Sequence, residues 1–159
     1  MTIQTRELTY ESAGVTFNST MAWDDTLGPR PAVLVAPTWA GSTDFERAQA
    51  LRLAGLGYVG LAVDMYGGGA VGADKEECTA LMTPVMSDRA MLQARIAAAV
   101  DAIRMQPESL DQPVAAIGFC FGGLCVLDLA RSRQDIAGVV SLHGLLLPAD
   151  NLTEPNLQA

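Results

Sequence analysis

Four short stretches of the chain are apolar at nearly every position: Ala32-Val33-Leu34-Val35-Ala36, Tyr58 to Val63, Val114 to Ile117, and Ile136 to Leu142. Runs of this kind, rich in β-branched residues and too short for helices, predict strands covered on both faces. Ahead of them, Glu7 to Ser12 and Val15 to Ala22 are β-prone segments punctuated by Gly14, the pattern of an antiparallel hairpin. Helical periodicity fills the gaps. Thr43 and Glu46 form a capping-box pair that opens a helix running to about Leu56, with Gly55 and Gly57 as stop signals. Ser87 is placed to cap a second helix to about Met105, in which Leu92, Ile96, Val100 and Ile103 recur on one face. A third helix is expected from Phe121 to about Arg131. Strand and helix alternating in this order predict right-handed βαβ crossovers and a mainly parallel sheet.

In such a sheet the reactive groups gather where strands end and loops lead into helices. Three of these loops carry unusual residues: Pro37 to Gly41, Asp64 to Gly69, and Gly118-Phe119-Cys120-Phe121-Gly122-Gly123. The last is a Gly-x-Cys-x-Gly-Gly run directly after a buried strand and before a helix, a nucleophile-elbow pattern with cysteine at the apex. A strand that turns into a helix within two residues crowds the backbone on either side of the apex, so Gly118, Gly122 and Gly123 stand where only a hydrogen fits. The apex is strained, which holds its side chain out over the sheet. There the helix N-terminus favours a thiolate, and amides beginning with that of Phe121 can donate to an oxyanion. A small cysteine buried in a glycine-rich crossover is the competing reading.

With 159 residues the chain is one domain long, and residues 1–159 are read as a single unit. Eighteen acidic against ten basic residues give a formal net charge of −8, and Lys75 is the one lysine. Such a surface repels phosphate backbones and anionic lipid, so neither nucleic acid nor a membrane is an expected partner. Three cysteines without a Cys-x-x-Cys, and a single histidine, argue against a disulfide framework or a zinc site and for a reducing, cytoplasmic compartment. Cys125 lies about 500° around the helix from Cys120, on a different face, and is expected to pack rather than to resolve a disulfide. Cys78, in the polar stretch beginning at Asp74, is expected to be an incidental helix residue, and Asp64 is read as holding its loop.

The elbow, together with Gly57-Tyr58-Val59 leading to Asp64-Met65-Tyr66-Gly67 and the segment from Val33 to Gly41, resembles the dienelactone hydrolase family from about Pro31 to Gly144. The resemblance implies an α/β-hydrolase-like, mainly parallel sheet with an N-terminal antiparallel hairpin, without the family's last strands. It implies a small-molecule lactone or ester substrate and no metal or other cofactor. By matching position Cys120 is the nucleophile, and the amides of Trp39 and Phe121 form the oxyanion hole. The family's triad aspartate and histidine follow later strands and fall outside the chain, so the complete enzyme is expected to be active and these residues alone nearly inactive. A half-domain that pairs with another chain is the alternative.

Two departures from the family bear on the substrate. Thr38 stands where the family has a glutamate, and no arginine lies between Arg52 and Arg89 to bind a carboxylate, so a neutral ester or lactone is as suitable as dienelactone. His143, at the end of the last apolar run, falls at no triad position; it is either a strand-end residue or a substitute base. The run from Ala137 to Leu142 is expected to be an apolar sheet edge without lysine or proline, through which the chain self-associates.

Overall fold

A computed structural model describes residues 1–133 and 135–151. The elements in chain order are β1 (Ile3–Ser12), β2 (Val15–Asp24), β3 (Ala32–Ala36), α1 (Asp44–Gly55), β4 (Val59–Ala62), α2 (Lys75–Ser87), α3 (Arg89–Arg104), β5 (Val114–Phe119), α4 (Phe121–Ser132) and β6 (Ile136–Leu142). The strands form one sheet in the order β1-β2-β4-β3-β5-β6. Strands β4, β3, β5 and β6 are parallel, and the β1–β2 hairpin joins β4 antiparallel. Its two-residue turn places Ala13 at φ 50° and Gly14 at φ 75°, the left-handed pair whose twist matches that of the strands.

Helix α1 packs on one face of the sheet through a stripe of Glu46, Ala50 and Ala54, one residue per turn. Ala50 and Ala54 meet Ala22 and Ala62 from the sheet. The approach is close enough that a Cβ on Gly60 would stand 2.4 Å from the Ala50 carbonyl oxygen. The opposite face is covered by α3 and α4, whose Leu92, Ile96, Val100, Leu124 and Leu129 pack with Leu34, Leu61 and Ala116. Because the chain leaves β3 for one face and β5 for the other, the ends of these neighbouring strands form the switch point where α/β sheets open a crevice.

Three expectations are corrected. Asp88, rather than Ser87, caps α3, its carboxylate accepting from the Met91 N–H at 2.9 Å; Ser87 is still the last residue of α2, so the non-helical cap conformation falls one position later. A further helix, α2, fills the region between β4 and α3, capped by Asp74 and tolerating Pro84 in its last turns. Strand β6 is not covered on both faces among the described residues: Val140 is 52% and Leu142 38% exposed at the sheet's edge.

Candidate functional site

The β5–α4 corner is as tight as its glycines require. Cys120 has φ 55° and ψ −114°, a backbone conformation that side chains rarely adopt. A Cβ on Gly118 would lie 2.0 Å from the Gly122 carbonyl oxygen, and one on Gly122 would lie 2.2 Å from that of Ala36. The strand, the first turn of α4 and the end of β3 therefore touch backbone to backbone, which brings the loop after β3 beside the elbow. The Cys120 N–H donates to the Leu142 carbonyl at 3.1 Å, and its own carbonyl accepts from Gly123 at 2.9 Å. Cys120 is partly exposed, whereas Cys78 and Cys125 are buried. Burial pushes the Cys125 thiol well above its ordinary range, with the nearby Asp128 adding to the effect. Cys78 packs against Gly72, to whose carbonyl its thiol donates at 3.5 Å.

Phe121 begins α4, so its N–H belongs to the turn that has no partner four residues back. Across from it, the Thr38–Gly41 loop is pinned at successive groups. The Thr38 N–H donates to Glu46 at 3.1 Å, the Gly41 N–H donates to the Thr38 carbonyl at 3.1 Å, and the Tyr66 hydroxyl donates to the Trp39 carbonyl at 2.7 Å. Glu46 is fully buried, and its second oxygen accepts from the Thr43 N–H at 2.8 Å and hydroxyl at 2.6 Å. The expected capping box is present. It does a second job that the spacing did not reveal, since a carboxylate serves the Thr38 loop from α1 even though Thr38 carries none.

Tyr66 was not singled out as a site residue, yet it joins the two sides. Its ring stacks on Phe121 with centroids 6.0 Å apart and planes 18° from parallel. The loop carrying it is held by hydrogen bonds on both sides. Asp64 accepts from the N–H groups of Asn18, Tyr66, Gly67 and Gly69 at 2.8–3.0 Å, which is the loop-holding role expected of it. Arg95 donates to the carbonyls of Met65 and Tyr66 at 2.8 and 3.1 Å. Desolvation by burial raises the Tyr66 hydroxyl pKa far above the ordinary tyrosine value, so it remains a proton donor.

His143 does reach the same rim. Leu142 pairs with Phe119, so His143 follows at the level of Cys120 with φ 42°. Its ring is tilted 53° against that of Phe119 with centroids 6.3 Å apart, and no hydrogen bond joins it to Cys120 among the described residues. Behind the elbow, Asp128 of α4 is fully buried and takes two bonds from Arg89, at 2.7 and 2.5 Å. Arg131 at 3.0 Å and Gln93 at 3.2 Å complete its partners, and Arg89 also binds the Leu147 and Pro148 carbonyls.

A mainly parallel sheet between helical layers, with a strained cysteine at the strand-to-helix corner beside the switch point, defines an α/β-hydrolase-like protein. The dienelactone hydrolase family model matches residues 17–159, and the chain belongs to that family. Among solved structures it is similar to m3DLH, with 40% identity and a TM-score of 0.87 over 92% of this chain and 61% of that one. It is similar also to a dienelactone hydrolase-like promiscuous phosphotriesterase from metagenomic libraries, with 38% identity and a TM-score of 0.88 over 92% and 62% of the two chains. A dienelactone hydrolase from Anabaena variabilis shares the fold at 21% identity, with a TM-score of 0.69 over 89% and 64%. An uncharacterized protein of Caenorhabditis elegans is 46% identical over 68 residues, 42% of this chain and 43% of its own. The chain thus spans about three fifths of the length of the two solved structures it resembles at near 40% identity. No helix among the described residues is long and apolar enough to cross a membrane.

Proposed function

We propose that the chain carries the nucleophile and oxyanion donors of a cysteine hydrolase acting on neutral esters or lactones. The observation that carries this reading is Cys120 at φ 55°, partly exposed, at the head of α4 and bracketed by glycines whose replacement would collide with backbone. The Cys120 thiolate adds to the substrate carbonyl carbon, and the π electrons move to the oxygen, which is received by the Trp39 and Phe121 N–H groups. The loop's own bonds use the N–H groups of Thr38 and Gly41 and leave that of Trp39. Collapse of the intermediate breaks the C–O bond and expels the alkoxide, which takes its proton from solvent water, and leaves a thioester. Water then attacks the thioester carbonyl and the C–S bond breaks, both protons of that water passing to solvent, which releases the carboxylate and restores the thiolate.

The base and its orienting acid are supplied from outside these 159 residues, so acylation outruns deacylation and turnover by this chain alone is nearly nil. The three free thiols suit a reducing compartment such as the cytoplasm. The test is para-nitrophenyl acetate mixed with the purified chain: a burst of about one nitrophenolate per chain, followed by slow turnover and abolished in Cys120→Ala, is expected. A burst that persists in Cys120→Ala refutes the assignment, and turnover matching that of a full-length family member refutes the reading that these residues lack the base.

A second reading concerns partners. Strand β6 ends the sheet with Val140 and Leu142 exposed, and no lysine or proline interrupts it. Such an edge pairs with another strand, from a second copy or another chain. Concentration-dependent association in sedimentation velocity, relieved by Val140→Lys, supports this reading; a monomer at every concentration counts against it.

A further inference from the structure

We propose that Tyr66 is a positioning residue that sets the two oxyanion donors of the Cys120 site against each other. The inference rests on the reading of Cys120 as an acyl-accepting nucleophile and names a component that neither motif nor spacing supplied. The argument begins with the peptide unit between Thr38 and Trp39. Its N–H points opposite to the Thr38 carbonyl because the unit is planar and trans. That carbonyl is tied down by the Gly41 N–H, and the preceding Thr38 N–H is held by Glu46. Two further ties come from the segment after β4: the Gly72 N–H donates to the Ala40 carbonyl at 2.9 Å, and the Tyr66 hydroxyl donates to the Trp39 carbonyl oxygen at 2.7 Å.

The ring of the same tyrosine is stacked on Phe121, the residue that bears the other donor. A single side chain thus touches both donor-bearing residues. Its own backbone cannot drift, because Asp64 takes the Tyr66 N–H and Arg95 takes its carbonyl. Gly41 completes the fit: a Cβ there would come 3.3 Å from the tyrosine ring and 2.6 Å from the Ala70 carbonyl oxygen, so the loop closes directly on the ring. Donors preorganised in this way act on the transition state without reorganising as charge develops.

Tyr66→Phe removes the hydroxyl and keeps the stack. Its effect separates from general disturbance of the elbow when two reactions of the same thiol are compared. Acylation by para-nitrophenyl acetate passes through an oxyanion, whereas alkylation by iodoacetamide does not. Both consume the thiolate, so their rate ratio cancels the thiolate fraction and the accessibility of Cys120. Rates in Cys120→Ala are subtracted as background.

The expected result is a ratio in the unsubstituted chain well above that of glutathione, and a fall of about tenfold in Tyr66→Phe with alkylation unchanged. A high starting ratio that Tyr66→Phe leaves intact overturns the role of Tyr66 and spares that of Cys120. Equal losses in both reactions also overturn it, since they report a displaced elbow. A starting ratio no higher than that of glutathione overturns the nucleophile assignment and this proposal with it.

Discussion

Replacing Asp128 by asparagine keeps the shape of a fully buried side chain and removes its charge. Arg89, itself only 9% exposed, then loses the carboxylate that takes its Nε and one terminal nitrogen. Breaking a buried pair by removing one partner costs about 3–5 kcal/mol, because the remaining charge stays out of water without compensation. Arg89 retains the Pro148 and Leu147 carbonyls, at 2.8 and 3.3 Å, so the lower figure applies. Against a total stability of about 5–15 kcal/mol, a loss of about 3 kcal/mol is a large share. With a urea m-value of about 2 kcal/mol/M, the midpoint should fall by about 1.5 M. Far-UV circular dichroism across a urea titration reads this directly. The double substitution Arg89→Met with Asp128→Leu removes both buried charges, leaves only the partly exposed Arg131 without its carboxylate, and should recover part of the loss. If Asp128→Asn shifts the midpoint by less than about 0.3 M, or the double variant is no better than the single, the pair is not closed to water as the structure has it.

Further outcomes follow from other parts of the molecule. Of Cys78, Cys120 and Cys125, only Cys120 should react rapidly with a thiol reagent in the native state, and all should react in denaturant; a second fast thiol would contradict the burial of the others. Gly122→Ala should cost about 4 kcal/mol or prevent folding, while Gly138→Ala, with nothing within 4 Å of the added carbon, should be neutral or slightly stabilising in thermal melts. Asp135 is held at a pKa of about 2, chiefly by its bond to Arg133. A depressed carboxylate stabilises the fold above its unfolded value of 3.8 and loses that contribution as pH falls through about 2. Asp135→Asn should therefore lower the denaturation midpoint at neutral pH by at most about 1 kcal/mol equivalent, because the pair is solvent-screened. The gap from the unsubstituted chain should close between pH 3.8 and about 2; a gap independent of pH would refute the linkage.

What could be read from the chain without coordinates was whatever local chemistry dictates. The apolar runs at Ala32–Ala36 and Ile136–Leu142 are strands with those bounds, since short β-branched stretches have few other ways to bury themselves. The Thr43–Glu46 box and the glycines around Cys120 were legible because capping and steric crowding act within a few residues. Helix α2 was harder to see: its residues are mostly exposed and Pro84 interrupts the signal. The half-exposed state of β6 depends on what covers it, which its own apolar composition does not encode. Tyr66 and the Arg89–Asp128 pair were invisible for a different reason. Their partners lie 27 and 39 residues away, brought near only by the strand order of the sheet. Glu46 shows the boundary between the two cases, since its cap was readable and its reach to Thr38 was not.

The alanine seam beneath α1 has a mechanical meaning. Glu46 rides on the same stripe as Ala50 and Ala54, and that stripe rests on the bare backbone of Gly60 with no space to spare. The helix is therefore a strut of fixed height, and its upper end carries the carboxylate that tethers the Thr38 loop. A methyl group wedged under Ala50 would lift the strut and tilt the tether at its far end. Changes deep under α1 would thus shift the Thr38 loop beside the elbow, and the smallest side chains of the fold are among its most exacting parts.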